Sequence, residues 1–247
     1  MNLMKSILFA GAVAIAGTAA SASTVQNLSY ANIHGQNVRI TASPVGVLGS
    51  AVPSNGREVW AGAFTMTNLA NAAEQFLAFC LDVRAAIQQN GFYTETDNPF
   101  AGGHDISGRV GDLQRLFDTG FQTVFDKIEA ADVTKNLFAA AFQVAAWEIL
   151  YEDDPANYDA SNGDFAISNA NVVTQANSFL GNLGGTVTQK WDLTFLQKSD
   201  AQGNPTVTGQ NLVTGSPAAP IPLPAAGWLL IGGLGALAAL RRRRAAA

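Results

Sequence analysis

Phe76-Leu77-Ala78-Phe79-Cys80-Leu81-Asp82 is the stretch on which the reading of this chain turns. The run before Asp82 is apolar throughout and too short for a surface helix, which predicts a buried strand. It also carries Cys80, the one cysteine in 247 residues. A single thiol makes no intramolecular disulfide, and in an exported chain it must be buried, paired between chains or committed to other chemistry. The candidate partner for such chemistry is Gln143, in Phe142-Gln143-Val144-Ala145-Ala146-Trp147-Glu148-Ile149.

Export is predicted from both ends. Lys5, the apolar run Ile7 to Gly17 and the small-residue motif Ala20-Ser21-Ala22 read as a secretory signal peptide over 1–22. At the other end a Pro-rich linker, 217–224, leads into Ile221-Pro222-Leu223-Pro224-Ala225, and residues 225–247 hold an apolar run closed by Arg241, Arg242, Arg243 and Arg244. Arginines after an apolar run stay cytoplasmic, which places the exported domain, 23–216, on the far side. The run of roughly 15 residues falls short of a full span and suits a transient membrane stop. This tail resembles the PEP-CTERM sorting signal in its Val/Ile-Pro-Leu-Pro-Ala form. The resemblance implies processing by an exosortase-type membrane transpeptidase in a Gram-negative bacterium. It also implies an inner-membrane stage before processing and a final place in the periplasm, on the cell surface or outside the cell.

Once both ends are set aside, charge excludes one class of partner. Lys5 and the terminal arginines are five of the 14 basic residues and none of the 19 acidic ones lies with them, leaving 9 basic against 19 acidic. That surface repels phosphate backbones, so no nucleic-acid partner is expected.

Along the exported domain the hydrophobic period changes twice. Residues 24–67 alternate and are broken by turns, with Val38-Arg39-Ile40-Thr41 and Glu58 to Met66 as strand candidates. Asn90 to Gly108 is rich in Gly, Asn and Pro and reads as a loop. From Gly108 onward apolar residues recur at three and four, predicting one or two short helices broken near Thr119-Gly120. A longer helix follows, capped by Asp132 or Thr134, with Leu137, Phe138, Ala141, Ala145, Ile149 and Glu152 along one side and an end at Asp153-Asp154-Pro155. A further helix is predicted over Phe165 to Leu183, ended by Gly184-Gly185, and strand-like alternation returns from Thr186 to Val213. Strands, then helices, then strands, without regular alternation, predict an α+β fold in one globular domain, with two lobes as the other possibility.

A cysteine sulfur and a glutamine amide held together away from water can exchange to a γ-glutamyl thioester with loss of ammonia. Phe79, Leu81, Phe142 and Trp147 are the flanking residues that would shield such a bond. The two motifs resemble the signatures of bacterial surface thioester domains: an aromatic or leucine, Cys, an apolar and a polar residue, here Phe79-Cys80-Leu81-Asp82, and later Gln-x-x-apolar-Trp, here Gln143 to Trp147. The family's threonine before the glutamine is Phe142 in this chain. The resemblance implies a Cys80–Gln143 thioester that captures an amine on a target surface, with no turnover. The other reading is a structural or biofilm-matrix protein of the same fold with a free, buried Cys80.

Other chemistry is thinly represented. His34 and His104 are too few and too isolated for zinc, and no third group orients a Cys80–His104 pair. Asp112 and Asp118 read as a solvated helix face. Glu152-Asp153-Asp154, with Asp159 and Asp164, lacks the ligand order of an EF-hand and reads as an acidic surface loop. No metal, cofactor or catalytic set is expected.

Overall fold

The computed structural model describes residues 25–44, 52–83, 85–100, 105–184, 189–206 and 208–218. The signal segment, His104, Pro222, Leu223, Pro224, Ala225 and Arg241 to Arg244 lie outside the described residues.

Two long strands, β1 (Val25–Ala42) and β2 (Arg57–Asn68), form an antiparallel hairpin from Leu28↔Asn68 to Ile40↔Arg57. The apolar run ends β3 (Asn71–Cys80), which folds back on β2 with Phe79 opposite Ala63. Next come β4 (Asn90–Thr96), the two-residue β5 (Ala166–Ile167), β6 (Trp191–Ser199) and β7 (Leu212–Pro217). The order β2-β3-β7-β6-β4-β1, with β1 also paired to β2, closes into a six-stranded barrel, and β5 hangs on β1 at Ile40 and Ala42. A closed barrel leaves no unpaired edge along the ring. The domain is mostly β with a helical layer, consistent with the α+β expectation; barrel closure rests on non-local pairings that hydrophobic period does not encode.

Three segments depart from the sequence reading. Asn90–Thr96 is a strand, not a loop: Phe92-Tyr93-Thr94 are good strand formers inside the Gly- and Asn-rich stretch, and they pair with both β1 and β6. Thr206 and Thr208 lie in no strand; among the described residues the C-terminal strands are β6 and β7. The Phe165 to Leu183 helix is shorter, with β5 first and then α4 (Ala170–Leu180).

The helices cover one side of the barrel. α1 (Val110–Leu116) does not break at Thr119-Gly120 but runs through one π-helical turn, Phe117–Phe121, into α2 (Gln122–Glu129). Gly120 is needed there for packing, since an added Cβ would lie 2.8 Å from the Phe179 ring and 3.2 Å from that of Phe142. The wider turn shifts the helical phase, and Asp118 faces inward rather than to solvent. Its Oδ1 accepts the Lys190 and Trp191 backbone N–H groups and the Gln114 amide. Asp132 Oδ1 accepts the Thr134 N–H at 2.6 Å at the start of α3 (Lys135–Tyr151).

α3 was expected to bury one side; instead every residue from Ala139 to Tyr151 is buried. Its alanines at 139–141, 145 and 146 let β1 and β2 approach on one flank and α4 on another. A helix apolar all round is the form that central position requires. Among the described residues no helix is long and apolar enough to cross a membrane.

Candidate functional site

The site is built where β3 stops pairing with β2. Leu81 N–H bonds to Asn211 O just before β7, so the two-residue alternation of a strand turns the N–H and C=O of Cys80 the other way, toward β2. The β2–β3 pairing has already ended at Ala63↔Phe79. The side chain of Gln143, from the middle of α3, fills the vacant position. Cys80 N–H donates to Gln143 Oε1 at 2.7 Å, and Gln143 Nε2 donates to Cys80 O at 2.7 Å. The glutamine amide thus stands in for the peptide unit of a missing strand. Gln143 is 0% exposed and Cys80 6%.

The sequence motifs converge here. Phe79 and Phe142 pack ring to ring with centroids 4.5 Å apart, and Phe117 meets Phe142 edge-on at 5.1 Å. Phe121 stacks on Phe117 at 5.0 Å and meets Trp191 at 4.6 Å. Each such pair is worth about 0.5–1.5 kcal/mol beyond its area. Phe142 is therefore a core aromatic against the cysteine strand. Leu81 is 0% exposed, and Trp147, 1% exposed, packs on Phe165 at 6.3 Å. Asp82 accepts the Asn211 N–H at 2.7 Å through Oδ2, while its backbone carbonyl accepts from the Gln210 side chain at 2.6 Å. Burial outweighs these bonds and raises the Asp82 carboxyl to about 6.

Burial, and then the charge of Asp82, pushes the Cys80 thiol well above its ordinary pKa, so the sulfur is held as S–H. A protonated thiol is a poor nucleophile, and attack on Cδ of Gln143 must be coupled to loss of that proton. The backbone supplies other parts of such a step. Cys80 N–H already points at Oε1, the oxygen on which charge develops as the carbonyl carbon becomes tetrahedral. Cys80 O holds the nitrogen that would depart.

Three participants escaped the sequence reading. Tyr151 donates to Leu81 O at 2.7 Å and pins the strand beyond the cysteine. Gln143, Trp147 and Tyr151 step along α3 in fours, a spacing that marks one face and was readable. Tyr93 lies in a segment taken for a loop. Glu148 is 0% exposed inside α3; its Oε1 accepts the Asp159 N–H at 2.8 Å. Burial, aided by Glu152, Asp159 and Asp164, raises its carboxyl to about 8. Glu152 is likewise buried, taking the N–H groups of Asp154 and Asp164 at 3.1 and 2.7 Å. The expected acidic surface loop is thus tied at 154, 159 and 164 to carboxylates of the helix and its C-terminal cap. His34 sits 3.4 Å from the Thr65 hydroxyl. Among the described residues no group of three His, Cys, Asp or Glu side chains is placed to hold a metal ion.

No family model and no curated protein matches the chain. Among solved structures it is similar to the N-terminal thioester domain of a surface protein from Clostridium perfringens, at 13% identity and TM-score 0.40, covering 74% of this chain and 100% of that one. A cysteine-to-alanine mutant of a Clostridium perfringens surface-protein thioester domain matches at 14% identity and TM-score 0.41, over 63% of this chain and 89% of the other. The N-terminal domain of the Streptococcus pyogenes pilus tip adhesin Cpa matches at 13% and 0.37, over 64% and 85%.

Proposed function

We propose that this chain is an exported cell-envelope protein whose domain closes an internal Cys80–Gln143 thioester and uses it to attach covalently to an amine-bearing surface. The observation that supports the reading most is the seating of the Gln143 amide on the backbone of Cys80, with both its hydrogen bonds at 2.7 Å. In the closing step Sγ bonds to Cδ, the Cδ–Nε2 bond breaks, and ammonia leaves with the thiol proton. A surface amine later attacks Cδ, the Cδ–Sγ bond breaks, the proton returns to sulfur and an amide remains. One bond is made per molecule, so the protein is not a turnover enzyme. The ends complete the proposal: 1–22 is removed on export, and an exosortase-type enzyme processes the tail at Pro222 to Ala225 while Arg241 to Arg244 hold it at the inner membrane.

A second reading is favoured by the same hydrogen bonds taken at face value. A glutamine that satisfies both backbone groups of a buried residue is a complete structural plug, and the protein is then a matrix component with a free thiol. A fluorescent primary amine separates the two. Thioester chemistry predicts covalent labelling at Gln143 that is lost in Cys80→Ala; the absence of label on the folded native protein overturns the adhesive reading.

A further inference from the structure

The acidic stretch after α3 is tied down more firmly than a surface loop requires. Glu148 Oε1 holds the Asp159 N–H, Glu152 holds those of Asp154 and Asp164, and Arg109 Nη2 donates to Glu152 O at 2.6 Å. On the other side the Ala160 N–H donates to Asn177 Oδ1 at 2.9 Å, which fastens the loop to α4. Glu148 and Glu152 are both buried in making these bonds. Burying carboxyl groups is costly, and what it fixes here is one wall of an open cleft of about 880 Å³. That volume falls within the range of ligand sites, about 300–1,000 Å³.

Asp112 and Arg115 of α1, Tyr158, Asp159 and Asn162 of the loop, and Asn177 of α4 line the cleft. Their positions are set in advance. Asp112 accepts from Arg115 Nη1 at 2.7 Å and from the Tyr158 hydroxyl at 2.8 Å, and Asp159 Oδ1 accepts from Asn177 Nδ2 at 2.7 Å. Each carboxylate has further lone pairs beyond these bonds, and the guanidinium and the amides have further N–H groups. Pro155, Leu180 and Leu183 add apolar surface. The bonds from Asn177 and Ser161 hold the Asp159 carboxyl below the usual carboxylate range, so it is charged at neutral pH. Two carboxylates against one guanidinium leave the lining net negative, which disfavours phosphate, sulfate and uronate groups and favours an ammonium. No strand edge, arginine cluster or long apolar groove lines the cleft, so the usual means of holding a peptide are missing. Vicinal hydroxyls, which donate and accept at once, match this mixture of carboxylate, amide and guanidinium.

We propose that the cleft between α1, the 154–164 loop and the end of α4 is a noncovalent binding site for a polysaccharide of amino sugars. Asp112, Asp159, Asn162 and Arg115 meet the hydroxyl and ammonium groups, and the Tyr158 ring with Leu180 and Leu183 meets the C–H faces of the sugar rings. Glu148 and Glu152 act behind the site, as the supports that hold its loop in one conformation. The site does not depend on a bond between Cys80 and Gln143 and would serve an adhesin and a matrix protein alike.

The test is isothermal titration of the purified Cys80→Ala protein, in which no thioester can trap an amine, with the glucosamine hexamer, the N-acetylglucosamine hexamer and hexalysine. The glucosamine hexamer is expected to bind saturably. Its N-acetylated form should bind about fivefold more weakly through loss of an exposed charge contact, and hexalysine, which has no ring hydroxyls, about tenfold more weakly. Gly184→Trp and Asn162→Trp, added singly, fill the cleft from two walls. Gly184 lies outside the left-handed region with open space where a Cβ would stand, and Asn162 is exposed, so both variants should melt with the parent while losing at least about tenfold in affinity. Absence of saturable binding by the glucosamine hexamer overturns the proposal, as does binding that survives both tryptophans. Hexalysine bound as tightly as the hexamer would reduce the site to charge and overturn the saccharide; equal affinity for the N-acetylated hexamer would overturn the amino sugar. None of these results touches the mass of the native protein, so the thioester reading stands or falls separately.

Discussion

Replacing Gln143 by Met in a Cys80→Ala background isolates what the glutamine does for the fold. With alanine at 80 no thioester can form, yet the backbone N–H and C=O of residue 80 remain. Met matches the unbranched length of Gln but offers neither the carbonyl that takes the N–H at 2.7 Å nor the amide that donates to the C=O at 2.7 Å. Both backbone groups are left buried beside a side chain that is 0% exposed in the parent. Each unpaired group costs about 1–3 kcal/mol, and the apolar replacement returns about 1 kcal/mol, giving a net loss of about 1–5 kcal/mol. For a domain of this size that is a fall in Tm of about 2–20 °C. Urea unfolding of the single and double variants, with equal m values, measures the difference. A loss below about 1 kcal/mol would refute the claim that Gln143 replaces a strand partner.

Further outcomes follow from the same geometry. Glu148 keeps in the folded state, up to about pH 8, a proton that the unfolded chain releases near 4.5, so its contribution to stability falls as pH rises between those values. Glu148→Gln keeps an oxygen for the Asp159 N–H and should flatten that decline in a Tm-against-pH series; an unchanged slope counts against it. Asp82 acts in the same direction, between 3.8 and about 6, and persists in the variant. Phe142→Ala should cost about 3–5 kcal/mol by removing the ring shared by Phe79, Phe117 and Phe179, as read by urea unfolding. Peptide mapping of envelope material should find no mature protein with Arg241 to Arg244 attached, and recovery of the intact tail would contradict the processing step.

How much of this was readable depends on the range of each interaction. The strand ending at Cys80 and the helix around Gln143 were legible because an apolar run and a three-four period are local. Cys80 and Gln143 were singled out for thioester chemistry; what the structure shows is the Gln143 side-chain amide on the Cys80 backbone, which depends on β2 parting from β3 after Ala63. Tyr93 was hidden because Asn90, Gly91 and the later Asn98-Pro99 outweighed three strand formers in a local reading, whereas pairing with β1 and β6 decided the outcome. Asp118 looked like a surface charge, and Glu148 drew no reading of its own. The first is turned inward by a π turn that no periodicity announces, and the second is buried by a loop that folds back over the helix.

Intact mass of the purified native domain bears most directly on the central claim. Closing Cys80 onto Gln143 expels ammonia, so the account predicts a mass about 17 Da below that of the sequence and no titratable thiol after unfolding. The full sequence mass together with one titratable thiol would contradict it.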